Sequence, residues 1–218
     1  MGTGTFSLSR GDVIELVDEP GRTVALTFDD GPNPPDTTAL LDVLARERVR
    51  AVFCLVGAQV EAHPELARRI VAEGHLLGNH SFHHDDLEEW EPEAVRADLE
   101  RTLAAIEAAV PGAEVPFFRA PYGHWGRTIR VAGELGMRPL GWQLSVWDWE
   151  PPGADELVRR MSGVVLRGII LLHDGGGDRS QTVEAVATLI PRLRAEGWTF
   201  TVPGQWRGGG AAGPADGR

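Results

Sequence analysis

The chain has 218 residues, of which 42% are hydrophobic and 24% charged, a composition typical of a globular protein with a substantial core. Its 21 basic and 32 acidic residues give a net charge of −11, which argues against nucleic acid or an anionic membrane surface as partner. The single cysteine, Cys54, excludes an intrachain disulfide and a multi-cysteine metal site, and its apolar surroundings predict a buried position.

No apolar run is long enough to span a membrane, and no signal peptide opens the sequence. We therefore expect a cytoplasmic monomer, or a secreted protein if an export signal is absent from this chain. Residues 1–23 are predicted to form a peripheral N-terminal segment, called the lead-in below, with a short strand at 13–17. Residues 204–218 are rich in Gly and Ala, and we expect a flexible tail there.

Between these ends, apolar runs alternate with helical patterns. The predicted strands cover 24–28, 49–56, 75–78, 115–118, 139–146, 168–172 and 198–202. The predicted helices cover 34–48, 64–73, 92–110, 127–135, 154–166 and 181–196. Pro191 predicts a kink or a break in the last helix. Strands this apolar, alternating with helices, indicate a single α/β domain over residues 24–203 with a parallel sheet.

Polar clusters follow five of the predicted strands, each just before the next helix. They are Asp29 with Asp30, His80 with His84, Arg119, Asp148 and His173. In a (β/α) barrel such loops converge on one rim, where active sites are built, whereas an open sheet spreads them along an edge. The pattern therefore favours a barrel of about seven parallel strands.

Asp29 and Asp30 lie at the exit of the first predicted strand, directly before Gly31-Pro32. Adjacent carboxylates raise the pKa of one of them unless a cation neutralises the site. Consecutive strand residues point to opposite faces, so both carboxylates can serve one site only where the chain turns, and we expect Gly31-Pro32 to supply that turn. A solvated acidic turn is the alternative for this stretch alone.

His80 and His84 are four residues apart, a spacing that places two imidazoles on one side of a helix or similar turn. Two surface histidines are the alternative, and His83 leaves the register open. Two imidazoles and one carboxylate would leave positions on a zinc ion open for water and substrate. Cobalt or nickel would bind the same set. Such an ion lowers the pKa of a bound water toward about 7, and the second carboxylate could act as a base on that water.

His173 is followed by the polar, glycine-rich sequence Asp174-Gly175-Gly176. This context fits the role of a general acid better than that of a histidine packed in the core. Asp148 could hold the ring of His173 and raise its pKa, with a solvated loop acid as the alternative. Arg119 could pair with a carboxylate of the site and lower its pKa, with a structural ion pair as the alternative.

Five motifs in order make the chain resemble the polysaccharide deacetylases of carbohydrate esterase family four, the NodB homology domain. They are Thr27-Phe28-Asp29-Asp30-Gly31, His80-Ser81-x-x-His84, Arg119-x-Pro121-Tyr122-Gly123, Asp148-Trp149 and Leu171-x-His173-Asp174. The resemblance runs from about residue 24 to 202, and it includes a weaker match over 178–182. It implies a distorted (β/α) barrel.

The resemblance implies a metal site and a base. Asp30, His80 and His84 would be the metal ligands, which settles the histidine register. Asp29 would be the general base, and Arg119 would pair with it.

The resemblance also implies the residues around the substrate. The backbone N–H of Tyr122 would help to stabilise the oxyanion. Asp148 would orient His173, the general acid. Trp149 and Leu171 would wall a pocket for the acetyl methyl group.

Three positions depart from the family pattern. Ala120 replaces a residue that is often Pro, and Ser145 stands where an Asp is common. Trp147 is unusual before Asp148 and is expected to narrow the site. None of these is an expected metal ligand.

The implied activity is that of a metal-dependent hydrolase that removes N-acetyl groups from an amino-sugar polymer or oligomer of chitooligosaccharide or peptidoglycan type. It would cleave C–N bonds of linear amides other than peptide bonds, with water on the metal as nucleophile. Alternatives on the same site are an acetylxylan-type O-acetyl esterase, a small-metabolite N-deacylase and a deformylase or amidohydrolase on non-sugar amides. A non-catalytic carbohydrate-binding domain and a structural metal site are alternatives of another class.

Overall fold

A computed structural model describes residues 10–204 and shows one domain built on a parallel sheet. The strands within this range are β1 (Thr23–Asp29), β2 (Val52–Leu55), β3 (Leu76–Asn79), β4 (Phe117–Phe118), β5 (Arg138–Pro139), β6 (Leu144–Ser145), β7 (Gly168–His173) and β8 (Thr199–Phe200). The α-helices within it are α1 (Asp36–Glu47), α2 (Gly57–Ala62), α3 (Pro64–Ala72), α4 (Pro92–Ala109), α5 (Thr128–Glu134), α6 (Ala154–Met161) and α7 (Ser180–Ala195).

Seven strands lie in the order β5-β4-β3-β2-β1-β7-β6, and every ladder between them is parallel. The eighth, β8, pairs with the first residues of β1. The sheet curls into an incompletely closed barrel with helices outside it, which confirms the predicted distorted (β/α) barrel and single domain. Because all strands run the same way, their carboxyl ends and the loops that follow form one rim.

The central strand, β1, is buried along its whole length and alternates between two environments. Leu26 and Phe28 belong to the large cluster that packs against the helices, whereas Ala25 belongs to a cluster inside the barrel that also contains Cys54. Since side chains alternate along a strand, Asp29 continues the interior row of β1. Its register partners are Cys54 on one side and His173 on the other.

Three elements differ from the prediction. Helix α2 was not predicted because it is only six residues long and begins at Gly57, which reads as the end of a strand. The predicted strand 139–146 is two strands of two residues each, β5 and β6, at opposite edges of the sheet. Helix α7 continues through the exposed Pro191, so the break that was one of the two predicted outcomes is absent.

The lead-in bridges the residue after β5 and the first residue of β7, on the side where the barrel is incompletely closed. Ile14 forms a parallel bridge with Leu140, and Leu16 an antiparallel bridge with Gly168. These isolated bridges take the place of the predicted strand, and Val17 is fully buried in the cluster inside the barrel. Residues 1–9, and 205–218 of the predicted tail, lie outside the described range. No helix of the described range is both long and apolar enough for a membrane span.

Candidate active site

A cavity of about 330 Å³ opens at the carboxyl-end rim of the sheet. Eight of the ten predicted site residues line it: Asp29, Asp30, His80, His84, Tyr122, Trp149, Leu171 and His173. The other two, Arg119 and Asp148, lie behind the wall and hydrogen-bond to lining residues. The sequence prediction missed Trp142, which also lines the cavity, because it lies in no motif. Trp147 is exposed and is not a lining residue, so the expected narrowing of the cavity by this side chain is wrong.

Asp30, His80 and His84 converge on one point of this cavity. The Nε2 atoms of His80 and His84 lie 3.4 and 3.3 Å from Asp30 Oδ1, and one donor atom from each residue lies within 4.8 Å of the others. Asp30 Oδ1 is buried and has no hydrogen-bond partner among the described residues. A buried, unpaired carboxylate oxygen facing two imidazole nitrogens fits a divalent cation with open positions.

The histidine His80 is held in one tautomer. Its Nδ1 donates a 2.7 Å hydrogen bond to the backbone carbonyl of Arg119, so Nε2 is the atom that faces Asp30. Burial alone would lower the pKa of His80, but the negative charges of Asp29 and Asp30 outweigh burial and raise it. Burial alone would raise the pKa of Asp30, but the nearby imidazoles of His80, His173 and His84 outweigh burial and lower it.

The turn that brings the two aspartates together lies at Asp30 itself. Strand β1 ends at Asp29, and Asp30 has φ of 72°, so the turn begins one residue before the predicted Gly31-Pro32. Within the described range, five of the seven non-glycine residues with positive φ lie at or beside predicted site residues: Asp30, Ser81, His84, Tyr122 and Trp147. Such conformations cost of order 1–3 kcal/mol each and are typical of functional sites.

The carboxylate of Asp29 is held from inside the barrel by Arg119, which is fully buried. The guanidinium donates to Asp29 Oδ1 at 2.7 Å and to Thr27 Oγ1 at 2.9 Å. It also donates to the backbone carbonyls of Leu140 and Gly141, both at 2.9 Å. The other oxygen of Asp29 lies 3.6 Å from His80 Nε2, on the cavity side. One side of this carboxylate is therefore fixed and the other faces the cavity.

On the opposite side, Asp148 holds the ring of His173. His173 Nδ1 donates to Asp148 Oδ1 at 2.7 Å, so Nε2 is left free. Burial alone would lower the pKa of His173, but the hydrogen bond and the charge of Asp148 outweigh burial and raise it. Asp148 Oδ2 also accepts a 2.8 Å hydrogen bond from Thr182, a residue that the sequence prediction missed. The weaker match over 178–182 was the available signal.

Two predicted substrate residues are aromatic and partly exposed. Tyr122 is 63% exposed, and its ring packs edge-on against His84 at 4.6 Å. Trp149 is 42% exposed and packs edge-on against His173 at 5.1 Å. Leu171, by contrast, is buried and gives the cavity an apolar wall.

A further buried carboxyl, Asp174, lies beneath the aspartate turn. Its Oδ2 accepts a 2.5 Å hydrogen bond from the Thr37 hydroxyl, and its Oδ1 has no partner among the described residues. Residue 31 must be glycine, because a Cβ there would collide with the Asp174 carboxyl. Burial raises the pKa of Asp174 to about 7, and the negative charges of Asp30 and Asp29 add to this effect.

We expect Asp174→Asn to change how stability depends on pH. The pKa of Asp174 is about 7 in the folded protein, against 3.8 ordinarily. The contribution of the protonated carboxyl to folding stability is therefore fully present below pH 3.8, and it is lost as the pH rises through about 7. Between these limits the variant should gain up to about 4 kcal/mol of unfolding free energy relative to the parent. Urea unfolding of chelator-treated protein from pH 4 to pH 8 measures this difference.

The exposed Asp155 supplies the matched control for that experiment, since Asp155→Asn should follow the parent at every pH. If the free energies of the Asp174→Asn variant and the parent ran parallel from pH 4 to pH 8, Asp174 would titrate normally, and its burial would have no such cost.

Comparison with known proteins identifies the family. The family model described as polysaccharide deacetylase matches residues 17–140. A chitooligosaccharide deacetylase of Rhizobium leguminosarum bv. trifolii is 39% identical over 192 residues, which cover 82% of this chain and 89% of that protein. A peptidoglycan-N-acetylglucosamine deacetylase of Bacillus cereus (strain ATCC 14579) is 34% identical over 183 residues, covering 82% and 85%.

A solved structure gives the same result. The family 4 carbohydrate esterase from Streptomyces lividans, in complex with acetate, superposes with a TM-score of 0.75 at 29% identity. The match covers 83% of this chain and 92% of that one. On its sequence, its barrel and its relatives, the chain belongs to the polysaccharide deacetylase family.

Proposed function

We propose that this protein hydrolyses N-acetyl groups on an amino-sugar polymer or oligomer, with a divalent metal bound by Asp30, His80 and His84. One observation carries the proposal: the unpaired Asp30 Oδ1 and two imidazole nitrogens share one cavity with a fixed carboxylate and a carboxylate-held imidazole. The relatives that are named for chitooligosaccharide and peptidoglycan deacetylation support this choice of substrate.

Zinc suits the two imidazoles and the carboxylate, and cobalt or nickel would suit the same set. When bound there, the metal would polarise the acetyl carbonyl and lower the pKa of a water molecule.

Asp29 would act as the general base. Its Oδ1 is taken by Arg119, whereas its Oδ2 faces the cavity and is free to accept a proton from the attacking water. The Arg119 contact keeps the carboxylate oriented, because the guanidinium is itself fixed by three further acceptors: Thr27, Leu140 and Gly141.

His173 would act as the general acid. With Nδ1 bonded to Asp148, its Nε2 can carry a proton to the amide nitrogen, which would otherwise leave as a poor anion. The Tyr122 N–H would donate to the developing oxyanion. Leu171 and Trp149 would enclose the acetyl methyl group, because both line the cavity and present apolar surface.

Acetate release from a substrate panel tests the proposal. We expect release from chitooligosaccharides or from peptidoglycan fragments, in preference to acetylxylan and small N-acetyl metabolites. Release from acetylxylan alone would instead assign an O-acetyl esterase, and release from metabolites alone a small-molecule deacylase. No release from any of the four, with metal supplied, would leave a binding domain without activity.

Removal of the metal should abolish turnover. We expect dialysis against a chelator to lower kcat at least about 10³-fold, because the metal would contribute several kcal/mol of transition-state stabilisation. Stoichiometric zinc, cobalt or nickel should restore activity. Asp30→Ala should reproduce the loss and weaken zinc binding in calorimetry.

The surface carboxylate Asp42, which pairs with Arg69, provides the matched control, and Asp42→Ala should behave like the parent. Full activity after exhaustive chelation, with no metal detected by elemental analysis, would contradict the metal assignment.

A further inference from the structure

We propose that Thr182, near the start of α7, is a positioning residue for the acid His173 and that it acts through Asp148. Its effect on catalysis rests on the proposed function, whereas the hydrogen bonds that it controls can be tested without any substrate.

Asp148 is a buried carboxylate without a permanently charged partner in the described range, so it depends mainly on hydrogen bonds. It is 3% exposed, and no Arg or Lys of residues 10–204 forms an ion pair with it. Its Oδ1 accepts from His173 Nδ1, and its Oδ2 accepts from the His173 backbone N–H at 2.9 Å and from the Thr182 hydroxyl at 2.8 Å. A buried carboxylate costs several kcal/mol unless such donors compensate, so each of the three matters.

The backbone around Thr182 is held in place by hydrogen bonds that its neighbours Gln181 and Arg179 make to two other segments of the chain. Gln181 Oε1 accepts from the backbone N–H of Gly153, in the loop after β6, at 2.7 Å. The backbone N–H of Arg179 donates to Asp36 Oδ2 at 2.9 Å. Thr182 itself is 1% exposed, so no water competes for its hydroxyl. The first turn of α7 is therefore a fixed support for Asp148.

The guanidinium of Arg179 ties the same turn to the loop that follows His173. It donates to the carbonyls of Gly175 and Gly176 at 2.8 and 2.9 Å. The loops after β6 and after β7 thus meet at the first turn of α7. Asp148 lies in the first of these loops, and His173 directly precedes the second.

The role of Thr182 follows from how the oxygens of Asp148 are divided. While Thr182 and the His173 backbone occupy Oδ2, only Oδ1 is available to the imidazole, and the carboxylate plane is fixed. This geometry selects the tautomer with the proton on Nδ1 and keeps Nε2 toward the cavity. Without the Thr182 hydroxyl the carboxylate can rotate, and both the tautomer and the ring direction become mixed.

Replacement of Thr182 by valine removes the hydroxyl and keeps the shape. We expect Thr182→Val to lower kcat on an N-acetylated oligosaccharide about 10- to 100-fold with little change in KM, the range for loss of a group that orients a catalytic ligand. Hydrolysis of an activated acetate ester should fall far less, because its leaving group needs no proton. Thr182→Ser, which keeps the hydroxyl, should restore most of the rate.

The matched control is Thr102→Val. Thr102 is also fully buried in a helix, but its hydroxyl bonds only the Asp98 carbonyl of its own helix, so kcat should not change. Circular dichroism and thermal unfolding establish that each variant folds. If the valine variant does not fold, Thr182→Ala removes the same hydroxyl and replaces it in the comparison.

A spectroscopic readout is independent of turnover. In chelator-treated protein, at a pH above the raised pKa of His173 where the ring is neutral, ¹⁵N-resolved NMR should show one tautomer, protonated at Nδ1, in the parent and in Thr182→Ser, and a mixture in Thr182→Val. An unchanged tautomer in the valine variant would overturn the proposal. So would equal rate losses on amide and ester, or a serine variant as slow as the valine one. If the parent releases no acetate from any substrate, the proposed function fails, and the NMR result alone decides the role of Thr182.

Discussion

Replacement of His173 by alanine is expected to slow N-deacetylation by about 10²–10⁴-fold, the usual contribution of a general acid. The same variant should hydrolyse an activated acetate ester within about tenfold of the parent rate. The leaving group of such an ester is stable as an anion and departs without a proton. The structural reason is that His173 Nε2 is free at the cavity while its Nδ1 is bonded to Asp148. Initial rates of acetate release from both substrates, on metal-saturated protein, measure the two effects.

His63 supplies the control for this comparison. It lies between α2 and α3, partly exposed and away from the lining residues of the cavity, so His63→Ala should keep both activities. Metal content must be equal in all samples, because His173 is near the expected ligands. Equal losses on amide and ester would remove the acid role from His173 and would leave it a binding residue.

Replacement of Arg119 by methionine is expected to destabilise the fold by about 3–5 kcal/mol, the cost of leaving a buried charge unpaired. Arg119 is fully buried, and its guanidinium satisfies Asp29, Thr27 and two backbone carbonyls at once. The variant would leave the Asp29 carboxylate in the barrel without its cation. Chemical unfolding of chelator-treated protein at pH 7 measures the loss.

The double variant Arg119→Met with Asp29→Asn separates the two causes. Since it removes the orphaned charge as well, it should be more stable than Arg119→Met alone by about 1–3 kcal/mol, the coupling typical of contacting residues. The exposed pair Arg159–Glu156 provides a control, and Arg159→Met should cost less than about 1 kcal/mol. An Arg119→Met variant within 1 kcal/mol of the parent, or a double variant no more stable than it, would show that the pair is not important for the fold.

The sequence was sufficient to predict the barrel and the meeting of Asp30, His80 and His173 at one rim, because both depend on local patterns. Apolar strands alternating with helices indicate the architecture. Asp30 and His80 each follow a strand directly, and His173 is the last residue of one. Parallel strands then bring these ends to one rim whatever the details of the loops.

The sequence was not sufficient for features that depend on contacts between distant loops. Nothing local indicates that Thr182 bonds Asp148, or that Arg119 reaches the carbonyls beyond β5. The left-handed backbone at Asp30 was also missed, because glycine is the usual residue there and the neighbouring Gly31 was the natural choice for the turn.

The bridges of the lead-in have a consequence for where the protein can be cut. Ile14 accepts from the Gly141 N–H at 2.8 Å and donates to Pro139, and the carbonyls of Leu140 and Gly141 in the same segment are acceptors of Arg119. A recombinant chain that begins at residue 24 would lose the two hydrogen bonds of Ile14. The segment 139–141, whose carbonyls bind Arg119, would then no longer be held on this side. Fusion tags and expression boundaries should therefore be placed ahead of residue 13.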